Sequence, residues 1–203
     1  MPLSADAVRE RYARIREEVG PGVTVVAATK YVTADELGAL AEAGVEVVGE
    51  NPLQDLAAKH ARYGDAFRWH FIGHLQSRKA PEVSELCELC HSLSSLSAAR
   101  RLTVPTLVEV NLSGEETKSG VEPGELSSFL EEAAALGVEV RGLMTMPPLA
   151  GDPEASRPWF RRLRELAAEH GLPELSMGTS QDYRVAAEEG ATLVRVGSVL
   201  YGR

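Results

Sequence analysis

Cysteine is scarce: Cys87 and Cys90 are the two in 203 residues, too few for a disulfide framework. They stand at C-x-x-C spacing beside His91, but a structural zinc wants four ligands and no second cysteine pair exists. Both therefore read as small packing residues near a strand, and no metal is expected. An excess of positive charge is missing as well. The formal net charge is −9, which argues against a nucleic-acid or anionic-membrane surface, because those partners reward a basic patch. No apolar run approaches membrane length. The N-terminus, Met1-Pro-Leu-Ser-Ala-Asp-Ala-Val-Arg-Glu10, lacks a signal-peptide core, so the expected location is the cytoplasm. Nor does a linker interrupt the chain, and 44% hydrophobic with 25% charged residues fits one globular domain over residues 1–203.

What the chain does have is alternation. Residues 4–19 carry Val8, Tyr12, Ile15 and Val19 on one helical face behind Ser4 as N-cap. Gly20-Pro21-Gly22 ends that helix, and residues 23–30 follow as a short β-branched apolar run ending in Lys30, which reads as a buried parallel strand. The pattern then repeats. Further strands are expected at 45–51, 67–74, 88–93, 105–112, 138–146, 174–180 and 192–197. Helices are expected at 33–43, 52–63, 76–86, 95–102, 123–136, from Asp152 to Gly171, and at 182–189. Eight strands alternating with helices in about 200 residues is the count of a (β/α)8 TIM barrel near its lower size limit, with an open doubly wound sheet as the rival. No full helix follows the eighth strand, so the N-terminal helix is expected to complete the outer ring.

Barrel active sites lie at the C-terminal strand ends. Those ends are Thr29-Lys30, Glu50-Asn51, Gly73-His74, Asn111, Met144 to Met146, Gly178 to Ser180 and Arg195 to Ser198. Closure brings Lys30 beside the eighth strand, with the seventh alongside. The loops Met177-Gly-Thr-Ser180 and Gly197-Ser198 offer a hydroxyl and backbone donors unobstructed by Cβ, in the usual place for a barrel phosphate site. An amine next to a phosphate cradle suits a carbonyl compound carrying a phosphate, either pyridoxal phosphate or a sugar phosphate in a Schiff-base aldolase. Arg195 favours the first. An arginine facing the pyridine nitrogen accepts no proton, keeps that nitrogen unprotonated and weakens the electron sink.

These residues resemble a known family. Ala28-Thr-Lys30, Gly49-Glu-Asn51 with Gln54, Trp69-His-Phe-Ile-Gly-His-Leu-Gln76 with Lys79, and Val110-Asn111 leading to Gly114-Glu-Glu-Thr-Lys-Ser-Gly120 are similar to motifs of the pyridoxal phosphate homeostasis proteins (the YggS/PROSC family). So are Gly142-Leu-Met-Thr-Met146, Ser176-Met-Gly-Thr-Ser-Gln-Asp182 and Val194-Arg-Val-Gly-Ser198 with Tyr201-Gly-Arg203. The resemblance covers essentially the whole chain. It implies a monomeric barrel like the N-terminal domain of alanine racemase, with pyridoxal phosphate as an imine on Lys30. It further implies that Ser180, Gly197 and Ser198 contact the phosphate, that Arg195 faces the pyridine nitrogen, and that Asn51 lies near the cofactor, with His74, Met144, Met146 and Thr179 nearby. The chain departs from the family pattern at Thr179, where methionine is frequent, at Pro52, where tyrosine is common, and in a shorter segment 95–102.

The resemblance implies binding and delivery of pyridoxal phosphate, with apo-enzymes that need it as partners, and no established catalytic reaction. A racemase-like enzyme on the same barrel is the alternative. That chemistry needs two bases on opposite faces of the substrate carbon, the second usually from another domain. A chain of 203 residues leaves no room for one, and Tyr31, Tyr183 and Tyr201 read more simply as packing. Lys118, in the polar loop after the fifth strand, is a candidate second amine at the site mouth or a solvated loop lysine.

Overall fold

The computed structural model describes residues 3–115 and 118–202. The expected Glu116 and Thr117 of the polar loop, and Arg203 of the C-terminal motif, lie outside them. Eight parallel strands close into a barrel in sequential order: β1 (Thr24–Ala28), β2 (Val47–Glu50), β3 (Arg68–Phe71), β4 (Leu89–Leu93), β5 (Thr106–Glu109), β6 (Val140–Met144), β7 (Glu174–Ser176) and β8 (Leu193–Val196). β8 pairs back onto β1, with Val26 opposite Arg195, and this closure excludes the open doubly wound sheet.

The helices are α1 (Ala5–Val19), α2 (Leu37–Glu42), α3 (Leu53–Tyr63), α4 (Ala80–Leu86), α5 (Leu96–Ala99), α6 (Leu126–Ala135), α7 (Arg157–Glu169), α8 (Tyr183–Glu188) and the single turn α9 (Ser198–Tyr201). α1 buries Val8, Tyr12, Ile15 and Val19 and packs against α2, α8 and α9, so it fills the gap between the last helix of the ring and the first. Ser4 caps it, accepting from the Ala7 N–H. At the start of α2, the Thr33 hydroxyl accepts from the Glu36 N–H at 3.2 Å while the Glu36 carboxylate accepts from the Thr33 N–H at 3.0 Å, a reciprocal capping box. Leu37 and Leu40 face the core as expected, whereas Ala41 is exposed.

Every strand is shorter than the segment expected for it. The run at 23–30 is ladder only as far as Ala28, which leaves Lys30 in the following turn. Three of the expected helices begin as tight turns of 3-10 helix, at Ser77–Lys79, Pro123–Glu125 and Pro153–Ser156. Asp152 caps the last of these by accepting from the Glu154 N–H at 3.0 Å.

Side chains alternate across the strands, producing two apolar layers. The larger lies between barrel and helices and includes Val25, Val48, Phe71, Val108, Leu143, Val194, Phe160 and Leu163. The smaller, Val26, Val47, Leu89, Leu107, Met144 and Leu193, fills the barrel itself. Cys87 and Cys90 belong to the larger layer, where burial pushes both thiols up in pKa. Among the described residues no helix is long and apolar enough to cross a membrane.

Candidate functional site

At the C-terminal end of the barrel, a cavity of about 550 Å³ opens above β1, β7 and β8. Lys30, Asn51, Thr179, Ser180, Arg195, Gly197, Ser198 and Met146 all line it. Ile72, Leu149, Gln181, Tyr31 and Tyr201 complete most of the wall. Two cations and several hydroxyls thus meet in a space to which no described residue contributes a carboxylate, in a chain of net charge −9. Such a lining is suited to an anion, and the apolar faces of Ile72, Met146 and Leu149 are suited to a flat ring.

Arg195 is buried and held on one side by three contacts. Its Nη1 donates to the Ser176 hydroxyl, and its Nη2 donates to the Thr145 carbonyl at 3.1 Å and to the Met146 sulfur at 2.9 Å. Burial lowers its pKa to about 10, with the Glu109 and Asp182 carboxylates acting in the opposite direction, so the guanidinium is charged at neutral pH. The β7 and β8 loops are tied together by Ser180, whose hydroxyl accepts from the Gly197 N–H at 2.9 Å and the Val199 N–H at 3.4 Å. Behind it, Asp182 accepts from the Thr179 N–H at 2.6 Å and from the Thr179 hydroxyl at 3.1 Å. Gly178 makes this loop possible. It sits at φ +89°, and a Cβ there would come within 2.5 Å of the Ala186 side chain.

Lys30 is exposed, with its Nζ 4.9 Å from the centre of the Tyr31 ring. Its backbone is held from behind by a buried ion pair between Lys59 of α3 and Glu50 of β2. Lys59 also donates to the Thr29 carbonyl at 2.9 Å, and the Glu50 carboxylate accepts from the Thr29 hydroxyl and the Asn51 N–H, both at 2.8 Å. One ion pair therefore fixes the two loops that present Lys30 and Asn51. Gly73 packs on the same place, since a Cβ on it would lie 2.2 Å from the Asn51 carbonyl oxygen.

The remaining candidates stand apart from this cavity. Met144 lies in the apolar layer inside the barrel. His74 is exposed and acts electrostatically on Glu109, whose pKa is raised by burial. Lys118 lines a neighbouring cavity of about 440 Å³ with Glu109, Asn111 and Ser119, its ammonium 3.2 Å from the Glu115 carboxylate. The two cavities share Met146 and Leu149 as a common wall. Asn111 braces the Lys118 loop, donating to the Glu115 carbonyl and the Glu122 carboxylate at 3.1 Å each. Sequence reasoning missed Lys59 and Ser176 behind the site. An acidic residue at a strand end followed nine positions later by a lysine on the next helix is the one signal that marks the first.

The model of the alanine racemase N-terminal domain family matches residues 3–203. The pyridoxal phosphate homeostasis protein of Aquifex aeolicus is 40% identical over 96% of this chain and 94% of its own. That of Pseudomonas aeruginosa is 36% identical over 100% and 96%. Among solved structures, PipY of Synechococcus elongatus with pyridoxal phosphate bound superposes at a TM-score of 0.89 and 33% identity, covering 96% of this chain and all of PipY. Alanine racemase from Corynebacterium glutamicum, at 21% identity and a TM-score of 0.74, shares the fold across 98% of this chain and 62% of the racemase.

Proposed function

The chain belongs to the family of pyridoxal phosphate homeostasis proteins, and on that premise we propose that it holds pyridoxal phosphate in the upper cavity, tethered at Lys30, as an intracellular reserve of the cofactor. The observation that carries this reading is the lining itself: Lys30 and Arg195 converge with the hydroxyls of Thr179, Ser180 and Ser198, and among the described residues no carboxylate lines the cavity. The residues fit the group at each end. Ser180, Gly197 and Ser198 would hold the phosphate, Ile72, Met146 and Leu149 would border the ring, and Lys30 would offer the amine.

When bound, pyridoxal phosphate supplies an aldehyde that condenses reversibly with a primary amine and releases water. Arg195 has no lone pair with which to accept a proton, so facing a pyridine nitrogen it would keep that nitrogen unprotonated and leave the ring a weak electron sink. This favours storage and release over catalysis. We place the protein in the cytoplasm as a monomer that yields its cofactor to apo-enzymes, with Lys118 as a second amine beside the exit.

Ligand-free protein titrated with pyridoxal phosphate should develop a visible absorption band. Lys30→Ala should lose that band while keeping the wild-type circular dichroism spectrum. A wild-type protein showing neither a band nor a change in intrinsic fluorescence on titration would overturn the reading. For Lys118, the rate of cofactor transfer to an apo-enzyme should fall in Lys118→Ala against a free-diffusion control.

A further inference from the structure

Beneath Arg195 a line of hydrogen bonds runs down the barrel axis. The Ser176 hydroxyl meets His91 Nδ1 at 2.8 Å, His91 Nε2 meets His70 Nδ1 at 2.9 Å, and His70 Nε2 meets the Glu88 carboxylate at 3.0 Å. Glu88 is also paired with Arg68 at 2.7 Å. The lower end opens into a separate cavity of about 450 Å³ lined by Arg68, His70, Glu88, Arg141 and Glu174 at the opposite mouth of the barrel. His70, His91 and Ser176 are all buried, and none of them lines the upper cavity.

The direction of every proton in this chain follows from its two ends. Arginine can only donate, so the Ser176 oxygen accepts from Arg195, and with a neutral His91 its own hydrogen goes to Nδ1, the other group it meets. His91 then carries its hydrogen on Nε2 and donates to His70 Nδ1. His70 in turn carries its hydrogen on Nε2 and donates to Glu88, an acceptor held ionised by the His70 hydrogen bond and Arg68. One hydrogen occupies each link, with a cation at the top and a carboxylate at the bottom. With Ser176 donating to His91, a second proton on either imidazole would set two donors face to face, so this arrangement holds with both histidines neutral. Burial favours that state for both.

We propose that Ser176, His91 and His70 form a positioning relay for Arg195, fixing the guanidinium that the cofactor meets although none of the three touches the cofactor cavity. This rests on the reading of the upper cavity as the pyridoxal phosphate site. Arg195 is a long side chain that needs such fixing, and its remaining contacts are the Thr145 carbonyl and the Met146 thioether. A hydrogen bond to a charged group is among the stronger ones, so losing the Ser176 link should weaken cofactor binding about tenfold.

The test is a double-mutant cycle read by cofactor affinity and by the position of the absorption band, with thermal unfolding followed alongside. Ser176→Ala and His91→Phe should each weaken binding about tenfold and move the band. In an Arg195→Gln background the same substitutions should change affinity less than about twofold, because additivity fails for residues acting through one another. Equal losses in both backgrounds, or wild-type affinity and band in the single variants, would overturn the relay. If His91→Phe does not fold, Ser176→Ala, the smaller change, decides. Imidazole nitrogen chemical shifts in the ligand-free wild type provide a readout that needs no cofactor: both rings should be neutral with hydrogen on Nε2, and a His91 protonated on Nδ1 would sink the proposal. Wild-type protein that binds no pyridoxal phosphate yet shows these tautomers would refute the cofactor site instead, and with it the relay's purpose but not its geometry.

Discussion

Glu50 and Lys59 are both buried, and between them they tie down Asn51 and the neighbour of Lys30, Thr29, and so fix the two residues that reach into the cavity from the ends of β1 and β2. Removing one partner of a buried pair strands the other, at a cost of about 3–5 kcal/mol. Lys59→Met should therefore lower unfolding stability by about that amount, and Glu50→Gln combined with Lys59→Met should recover much of it, as measured by urea denaturation. The single variant should also weaken cofactor binding, because the Lys30 turn loses its anchor. At this scale the sequence was legible where position alone decides. Lys30, Ser180, Arg195, Gly197 and Ser198 stand at or just beyond strand ends, and all of them line one cavity. His91 and Ser176 were not legible, because each is an unremarkable strand residue until the barrel brings them together across 85 positions of sequence.

The first helix shows what an element owes to its neighbours. α1 precedes the first strand, yet it sits between α2 and α8 and is tied to α8 by Glu18, which accepts from the Tyr183 hydroxyl and from Arg184 at 2.6 Å. If α1 is an integral member of the ring, Ile15→Ala should cost as much as truncating any core residue, about 2–5 kcal/mol. Exposed Glu10→Ala on the opposite face should stay within about 0.5 kcal/mol. The shift in urea midpoint at constant m-value checks both. Element order and type could be read from periodicity, whereas element ends could not, because a parallel ladder stops where its neighbours stop. The strand expected at 174–180 is ladder only over Glu174–Ser176, with Ser176 opposite Leu193 as its one register pair on β8. Gly178 then turns the chain at positive φ to form the loop that the cavity needs. The residues lost from the strand are those gained by the site.

For the molecule as a whole, the neutral histidines along the axis set the response to acid. Their pKa values fall below the ordinary 6.5 because burial disfavours the charged ring. Around His70, Glu88 and Glu174 oppose that fall and Arg68 reinforces it; around His91, His70 and Arg195 both reinforce it. In the unfolded chain each histidine titrates near its ordinary value, so below pH 6.5 the unfolded state binds more protons and stability falls as pH falls. Each histidine contributes a slope of about 1.4 kcal/mol per pH unit until its native pKa is reached. Glu88, lowered to about 2 by its His70 and Arg68 partners, adds stability that is present above 4.5 and lost as pH falls from there toward 2. Glu109, raised by burial, works the other way, since acid relieves the cost of its charge. Wild-type stability, measured by urea unfolding at a series of pH values, should therefore decline as pH drops below 6.5, before the ordinary carboxylates titrate. His91→Phe should remove one proton's share, reducing the loss of stability between pH 6.5 and 5.5 by about 1 kcal/mol. An unchanged slope would mean that His91 already carries its proton in the folded barrel, a state in which Ser176 could not both accept from Arg195 and donate to the ring.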